Sequence, residues 1–219
     1  MADQKQKRFN LSRVQPFEDF PQRYEDWFRR NKYVYQSELE AVRSLLPETG
    51  LGVEIGVGTG RFAVPLAVKT GVEPSRRMRE IAERKGLEVV EGFAEKLPFK
   101  SGRFDFALMV TTVCFVNSIE KAFQEAYRVI KKDGCLIVGF IDKNSRLGKM
   151  YQNIKEKSVF YKVAEFFSVD EIIDNLRQAG FKKFDFSQTL FRKLRDVKKI
   201  EPVKPGCGQG SFVVIRAAK

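Results

Sequence analysis

Short apolar runs alternate with amphipathic segments from residue 51 onward, and this alternation restricts the possible folds more than any other feature. The apolar runs are LGVEI (51–55), VKTGVE (68–73), LEVVE (87–91), FDFALMV (104–110) and CLIVGFI (135–141). Segments with helical periodicity lie between them, near 60–67, 75–86 and 118–132. Such alternation is typical of a parallel sheet with helices on both faces. The sequence therefore predicts an α/β, Rossmann-like, doubly wound fold.

The two ends of the chain differ from this pattern. Residues 1–46 begin as a polar, basic tail and continue as two amphipathic helices, which we expect to form a helical cap. Residues 47–219 form the α/β domain, with the aromatic stretch 143–166 as an insertion that adds to the cap. Segments 181–192 and 210–217 have no helix between them and should pair antiparallel. The expected sheet is mostly parallel and seven-stranded, with an antiparallel last strand.

The most informative motif is VEIGVGTGRF (53–62), in which a strand leads into three glycines and then into a predicted helix. Gly56, Gly58 and Gly60 permit positive φ and let the backbone approach a ligand closely. The motif stands at the carboxyl end of a strand, where open α/β sheets bind ligands. Its G-x-G-x-G spacing differs from the G-x-G-x-x-G of dinucleotide enzymes. The motif therefore predicts a ligand loop, but not one for a dinucleotide.

Two glutamates define the chemistry expected at this loop. Glu54 precedes the first glycine, where its charge would repel a pyrophosphate and attract an ammonium group. Glu73 ends the second strand, 19 residues later, and an acid at this position can accept hydrogen bonds from both hydroxyls of a ribose. A ligand with a ribose and a cationic or zwitterionic group is therefore expected. S-adenosylmethionine has both.

Four sequence blocks together resemble the class I S-adenosylmethionine-dependent methyltransferases. The blocks are VEIGVGTGRF (53–62), GVEPSRRM (71–78), EGFAEKLPFKSGRFDFALMV (91–110) and EAYRVIKKDGCLIVG (125–139). They occur in that family's order, and the likeness is greatest to the small-molecule branch that includes ubiquinone and menaquinone methyltransferases. The resemblance implies an enzyme that transfers a methyl group from S-adenosylmethionine to a small-molecule acceptor.

The resemblance also implies which residues bind the cofactor. They are Glu54, Gly56, Val57, Gly58, Gly60, Glu73, Pro74, Met78, Ala94, Glu95, Thr111 and Tyr24. By this resemblance Glu54 holds the methionine ammonium and Glu73 the ribose hydroxyls, while the glycines pass under the methionine and ribose. No catalytic residue is implied.

Other implied roles lie around the adenine and the methyl group. Met78 matches a residue that packs on adenine, Ala94 lies at the adenine edge, and Thr111 lies beside the methyl group. Tyr24, in the segment YEDWF, matches a lid over the cofactor. The chain departs from the family at Phe93, where an aspartate often binds the adenine amino group.

Composition excludes several kinds of chemistry. The chain has no histidine, so a Ser-His-Asp triad and a His-ligated metal site are impossible. Cys114, Cys135 and Cys207 are too dispersed for a zinc site or a disulfide framework, and we expect no metal. Methyl transfer from a sulfonium mainly requires positioning and exclusion of water, which suits a chain without histidine. Asp142 and Tyr24 are candidates if a base is needed.

Location and partners follow from the remaining features. No apolar run reaches the roughly 18 residues of a membrane span, and the first residues lack the apolar core of a signal peptide. We therefore expect a cytoplasmic protein with no membrane partner.

Three alternatives to a small-molecule methyltransferase stay open. The net charge of +12 permits an RNA methyltransferase, although the basic clusters are scattered. A nicotinamide-dependent oxidoreductase on a related fold and a module that binds the cofactor without transferring its methyl group are the other two.

Overall fold

An eight-stranded sheet forms the centre of the computed structural model, which describes residues 11–219. The strands are β1 (Gly52–Ile55), β2 (Thr70–Glu73), β3 (Glu88–Glu91), β4 (Phe104–Val110), β5 (Ile130–Ile141), β6 (Lys182–Thr189), β7 (Lys204–Pro205) and β8 (Phe212–Ala218). Their order in the sheet is β3-β2-β1-β4-β5-β8-β6-β7. Strands β1 to β5 pair in parallel, whereas β8 is antiparallel to both β5 and β6.

The predicted α/β, mostly parallel, Rossmann-like sheet with an antiparallel last strand is confirmed. Seven strands were expected and the sheet has eight, because the two-residue β7 pairs with β6 at its edge. The last strand, β8, lies inside the sheet between β5 and β6, which run parallel to each other.

Seven α-helices accompany the sheet in the described residues. They are α1 (Gln15–Asp19), α2 (Pro21–Arg30), α3 (Lys32–Arg43), α4 (Arg76–Arg84), α5 (Ile119–Val129), α6 (Arg146–Asn153) and α7 (Val169–Gln178). Serine hydroxyls begin several of them: Ser75 caps α4, Ser118 caps α5, and Ser168 forms a capping box with Glu171 at α7. These caps fix helix starts beside the carboxyl ends of the strands.

Two apolar layers cover the two faces of the sheet. Alternate residues of β4 enter different layers: Ala107 and Met109 pack in the one that contains α5 and α7, and Phe106 and Leu108 pack in the other. The second layer includes the buried residues of α3, a helix that contacts β5, β6 and β8. The sheet is therefore buried on both sides, as expected for a doubly wound fold.

The helix predicted near 60–67 is wrong: this segment forms a series of turns. Pro65 explains the difference, because it has no N–H to donate to the carbonyl oxygen of Arg61 one helical turn earlier. That carbonyl accepts a hydrogen bond from the hydroxyl of Tyr35 instead. The glycine motif thus leads into a turn segment tied to α3, where the sequence predicted a helix.

The N-terminal region has three α-helices where two were predicted. Phe20 ends α1, and Pro21 begins α2 at a position where a missing N–H costs nothing. Asn31 separates α2 from α3. The predicted tail falls partly on residues 1–10, which lie outside the described residues. Within residues 11–219, the helices are all too short or too polar to cross a membrane.

Candidate active site

Loops at the carboxyl ends of β1, β2, β3 and β4 surround a pocket, which we call the glycine-loop pocket. The residues that line it are Arg13, Val14, Phe17, Tyr24, Gly56, Gly58, Glu73, Pro74, Gly92, Phe93, Ala94, Glu95, Val110, Thr111, Thr112, Phe115, Val116 and Asn117. Eight of the twelve site residues predicted from the sequence are in this lining. The topology brings them together because parallel neighbouring strands end at the same edge of the sheet.

The glycine loop leaves no space for side chains. Gly56 has φ of +73°, and a Cβ atom there would lie 2.4 Å from Cγ2 of Thr112. Gly58 has φ of +53°, and a Cβ atom there would lie 3.3 Å from the hydroxyl oxygen of Tyr24. Both glycines are therefore required by conformation and by close approach. They leave backbone as the floor of the pocket.

Glu73 is held in place by the loops on either side of it. Its Oε2 accepts a hydrogen bond from the Gly58 N–H at 2.9 Å, and its Oε1 accepts one from the Ser75 N–H at 3.0 Å. Burial raises the pKa of Glu73 to about 7, although these two N–H donors oppose that shift. Each carboxylate oxygen keeps a free lone pair for a ligand hydroxyl.

Glu54 lies deeper, at 1% exposure, and does not line the pocket directly. Its Oε2 has no hydrogen-bond partner among the described residues. Burial raises the pKa of Glu54 well above its usual range; the Ala63 N–H opposes this shift, and the nearby Glu73 adds to it. A buried oxygen without a partner is costly to leave unsatisfied, so it marks a place where water or a cation is expected.

Three other predicted residues lie outside the pocket lining. Val57 packs over Gly71 of β2, where a Cβ atom would come within 2.6 Å of Val57 Cγ1. Gly60 is needed for packing against Leu87, whose Cδ1 would lie 2.7 Å from a Cβ atom at position 60. Met78 belongs to α4 and is fully buried. The structure places all three in the framework behind the loop.

The loop after β3 forms another wall of the pocket. Phe93, Ala94 and Glu95 all line it, and Phe93 forms an isolated bridge with Lys96. The Glu95 carboxylate accepts hydrogen bonds from the backbone N–H groups that precede α5, including that of Ser118 at 3.2 Å. Glu95 thus also fixes the start of α5.

Thr111 stands where β4 ends, with φ of +54°. This conformation is strained for a β-branched residue, and such strain concentrates at functional sites. The Thr111 N–H donates to the carbonyl oxygen of Gly139 at 2.7 Å, which holds the residue against β5. Its position makes Thr111 part of two pockets at once.

The second pocket, which we call the aromatic pocket, adjoins the first. Its lining is Phe17, Arg23, Tyr24, Trp27, Phe28, Arg30, Glu38, Thr111, Val113, Cys114, Phe115, Phe140, Ile141, Tyr151, Ser158, Val159, Phe160, Tyr161, Phe166 and Phe167. Four residues line both pockets: Phe17, Tyr24, Thr111 and Phe115. Burial raises the pKa of Tyr24 far above its usual range, and the carboxylates of Glu54 and Glu73 raise it further.

Polar contacts hold α1 and α2 over both pockets. The Glu25 carboxylate of α2 accepts hydrogen bonds from Arg61 Nε at 3.0 Å and from the Thr59 hydroxyl, beside the glycine loop. Burial acts to raise the pKa of Glu25, but the hydrogen bonds from Arg61 and Thr59 outweigh it and lower the pKa. At α1, the Glu18 carboxylate accepts a hydrogen bond from the Ser75 hydroxyl at 2.7 Å.

Sequence reasoning missed Phe17, Phe115 and Glu38. The two phenylalanines stack edge to face, with ring centroids 4.8 Å apart, although they are far apart in the chain. Glu38 had a visible signal: it lies four residues from both Val34 and Val42, on the apolar face of α3. Asp142, a candidate base in the sequence, lines neither pocket.

The structure is that of an α/β protein with a ligand pocket at the carboxyl ends of its parallel strands. The profile of a family described as "Methyltransferase domain" matches residues 53–138. A crystal structure from Thermotoga maritima, described as an S-adenosylmethionine-dependent methyltransferase and possible histamine N-methyltransferase, is 58% identical with a TM-score of 0.92. The match covers 94% of this chain and 99% of that one.

Two curated relatives extend this comparison. An uncharacterised protein of Methanocaldococcus jannaschii is 46% identical over 93% of this chain and 98% of its own length. The demethylmenaquinone methyltransferase of Chlorobaculum parvum is 31% identical over 64% of this chain and 68% of its own length. The chain belongs to the class I S-adenosylmethionine-dependent methyltransferases. It is an enzyme, and S-adenosylmethionine is its cosubstrate.

Proposed function

We propose that the enzyme binds S-adenosylmethionine in the glycine-loop pocket and transfers its methyl group to a small molecule in the aromatic pocket. The observation that carries this proposal is the shared boundary of the two pockets, formed by Phe17, Tyr24, Thr111 and Phe115. A methyl group at this boundary faces an acceptor on its other side. Two ligands on either side of one boundary are in position for an in-line displacement.

The residues of the glycine-loop pocket fit S-adenosylmethionine in chemical type. In this proposal Glu73 accepts hydrogen bonds from the ribose hydroxyls, and Gly56 and Gly58 provide backbone that a ligand can approach closely. Glu54, with its unsatisfied Oε2, attracts the methionine ammonium through water. Pro74 and Ala94 add apolar walls, and Phe93 replaces an aspartate with a ring that can pack beside adenine.

Bound S-adenosylmethionine supplies a methyl group already activated by the positive sulfur. The tasks left to this chain are to hold the acceptor against Thr111 and to exclude water. We propose that α1, α2 and the insertion 143–166 form the cap that does this. Tyr24 carries the cap's contact with the glycine loop, and burial raises the pKa of its phenol still further above neutral pH, so the phenol is protonated there.

A small-molecule acceptor is supported by the size and lining of the aromatic pocket. Its cavity volume of about 230 Å³ accommodates a small organic molecule, and more than half of its lining residues are aromatic. The Thermotoga maritima relative is described as a possible histamine N-methyltransferase, and the Chlorobaculum parvum relative as a demethylmenaquinone methyltransferase. Both names denote small-molecule acceptors, although of different chemistry.

Equilibrium binding tests the proposed cofactor site. By calorimetry, S-adenosylmethionine and S-adenosylhomocysteine should bind, whereas NAD should not. Both ligands should also raise the melting temperature, because they stabilise the folded state by mass action. Binding of NAD without binding of S-adenosylhomocysteine would contradict the proposal. Tight, strongly salt-dependent RNA binding that protects the pocket boundary would favour the RNA methyltransferase alternative instead.

A further inference from the structure

A single carboxylate lies among the aromatic side chains of the aromatic pocket. Glu38 is the one acidic residue among the described residues that line this pocket, and it is only 4% exposed. Helix α3 places it there, with the buried Val34 and Val42 one turn away on either side. Most buried acids are paired with a base or with several donors, so an acid at such a position requires an explanation.

The Glu38 carboxylate has no partner within the part of the chain that the structure describes. Burial raises its pKa to about 8, and no charge or hydrogen bond from residues 11–219 offsets that effect. By contrast, other buried acids such as Glu73 accept backbone hydrogen bonds. Glu38 therefore points into the pocket as an acceptor whose donor is not supplied by the protein.

The other titratable groups that line the pocket do not neutralise Glu38. Arg23 and Arg30 belong to α2 and are exposed, so water screens their charges. Burial raises the pKa of Tyr161 well above its usual range and that of Cys114 to about 12, so both are neutral at physiological pH. Burial also raises the pKa of Tyr151 above its usual range.

The surrounding rings favour a positive charge. Trp27, Phe28, Tyr151 and Tyr161 line the same pocket, and the last two have ring centroids 4.4 Å apart. The faces of aromatic rings attract cations, most strongly in a desolvated site. A buried carboxylate with aromatic walls is complementary to an ammonium group on an apolar or aromatic body.

We propose that Glu38 binds a positively charged amine of the methyl acceptor. This inference rests on the proposed function, because the amine-bearing molecule is taken to be the acceptor in the aromatic pocket. Glu38 is then a positioning and specificity residue: it pairs with the ammonium group and orients the acceptor toward Thr111. Because burial raises its pKa to about 8, Glu38 holds a proton in the ligand-free enzyme at neutral pH and releases it to water when the ammonium group binds. The resulting carboxylate and the ammonium neutralise each other, so no second charge is needed inside the pocket.

Three near-isosteric probes test this charge preference on the protein saturated with S-adenosylhomocysteine. They are 2-phenylethylammonium, 2-phenylethanol and phenylacetate, and calorimetry gives their affinities. We expect the ammonium to bind at least about tenfold more tightly than the alcohol, since a charge-assisted hydrogen bond replaces a neutral one. We expect phenylacetate to bind most weakly. Equal affinities, tighter binding of phenylacetate, or no ammonium binding at millimolar concentration would overturn the inference.

A matched pair of variants on α3 identifies the residue responsible. Glu38→Gln keeps the shape of the side chain and removes its charge, so the ammonium should lose about tenfold or more in affinity while the alcohol is unaffected. Glu40→Gln makes the same change at an exposed position two residues away and should match the unaltered protein. If Glu38→Gln keeps the preference for ammonium, Glu38 is not the binding group.

The cofactor measurement separates the two proposals. If S-adenosylhomocysteine fails to bind, the proposed function fails. If it binds to both variants as to the unaltered protein, and the ammonium shows no preference, only the role of Glu38 fails. The three probes on the unaltered protein decide the matter even if Glu38→Gln does not fold.

Discussion

At the scale of single residues, the ligand loop depends on glycines, because a side chain at Gly56 or Gly58 would meet a neighbouring residue. Gly56 lies against Thr112, whose hydroxyl is 3.4 Å from the Gly56 carbonyl oxygen. A side chain at this position would have to displace the loop after β4, which also carries Thr111. The glycine loop and the pocket boundary are therefore mechanically connected.

Alanine substitutions separate backbone strain from this close approach. Gly56→Ala and Gly86→Ala both place alanine at positive φ, so Gly86→Ala should lose about 1–2 kcal/mol of unfolding free energy and Gly56→Ala should lose more, because its Cβ atom also clashes with Thr112. A Cβ atom at Gly86 meets nothing within 4 Å, whereas one at Gly56 meets Thr112. We expect only Gly56→Ala to lose S-adenosylhomocysteine affinity by calorimetry. Equal affinities for the two variants would show that the loop does not support the ligand.

Glu73 gives a second prediction at this scale. Glu73→Gln should weaken S-adenosylhomocysteine binding about tenfold or more, because hydrogen bonds to a charged acceptor are each worth about 1.5–3 kcal/mol. Glu91→Gln is the control, since Glu91 ends the adjacent strand β3 but is exposed and pairs with Arg79 at 2.8 Å. Calorimetric affinity that is unchanged in Glu73→Gln would reduce Glu73 to a structural role.

The sequence predicts the ligand residues that belong to contiguous motifs and misses those brought in by distant segments. Gly56, Gly58 and Glu73 stand at fixed places in a strand–loop unit, so their position follows from topology. Phe17 and Phe115 meet only through the packing of α1 against the loop after β4. A local sequence pattern contains no information about such a contact. Glu38 differs, because a charged residue between Val34 and Val42 on the apolar face of α3 is visible in the sequence.

At the scale of elements, the N-terminal helices differ in how they are attached. Helix α3 contributes several buried residues to the core and contacts three strands. Helix α2 buries Phe28 alone and is tied to the glycine loop by Glu25. An element held by few buried apolar contacts opens at a lower free energy than one held by the core.

Amide exchange should resolve this difference. We expect exchange across α2 to be fast in the free enzyme and to slow when S-adenosylhomocysteine binds, whereas α3 should exchange slowly in both states. Trp27, the single tryptophan, lies in α2 and should change its emission on binding. Slow exchange in α2 without ligand would mean that it belongs to the core and does not act as a mobile cap.

Element predictions failed where one residue overrode a pattern. The strands, and helices such as α4 and α7, follow from apolar periodicity and serine caps. The segment 60–67 has helical periodicity, yet Pro65 has no N–H to donate to the carbonyl oxygen of Arg61. The hydroxyl of Tyr35 donates a hydrogen bond to that oxygen instead. The two-residue β7 is too short to leave any periodicity.

At the scale of the whole molecule, the chain has no histidine, so buried carboxyl groups are the side chains that titrate near neutral pH. Burial raises the pKa of Glu73 to about 7 and that of Glu38 to about 8, and it raises that of Glu54 well above its usual range. Acids with lowered pKa, such as Glu18 and Glu171, add stability that is lost only as the pH falls below about 4.5. The two groups of acids therefore act in different pH windows.

The ligand-free enzyme should lose stability as the pH rises from about 5 to about 7. In this window the three buried glutamates hold protons in the folded state and release them on unfolding, so each contributes a slope of up to about −1.4 kcal/mol per pH unit. Urea denaturation at several pH values measures this slope. Glu38→Gln should make it shallower, and Glu40→Gln should leave it unchanged. A free energy of unfolding that rises across this window would show that burial does not raise the pKa values of these glutamates.

Transfer of a labelled methyl group shows whether the enzyme methylates a small molecule or RNA. The enzyme is incubated with S-adenosylmethionine carrying a deuterated methyl group and a panel of small aromatic amines, phenols and carboxylic acids, or separately with RNA, and the products are identified by mass spectrometry. We expect a small molecule that carries the deuterated methyl group, together with S-adenosylhomocysteine, and no label in RNA. Label found only in RNA, or none in the small molecules although the cosubstrate binds, would contradict it.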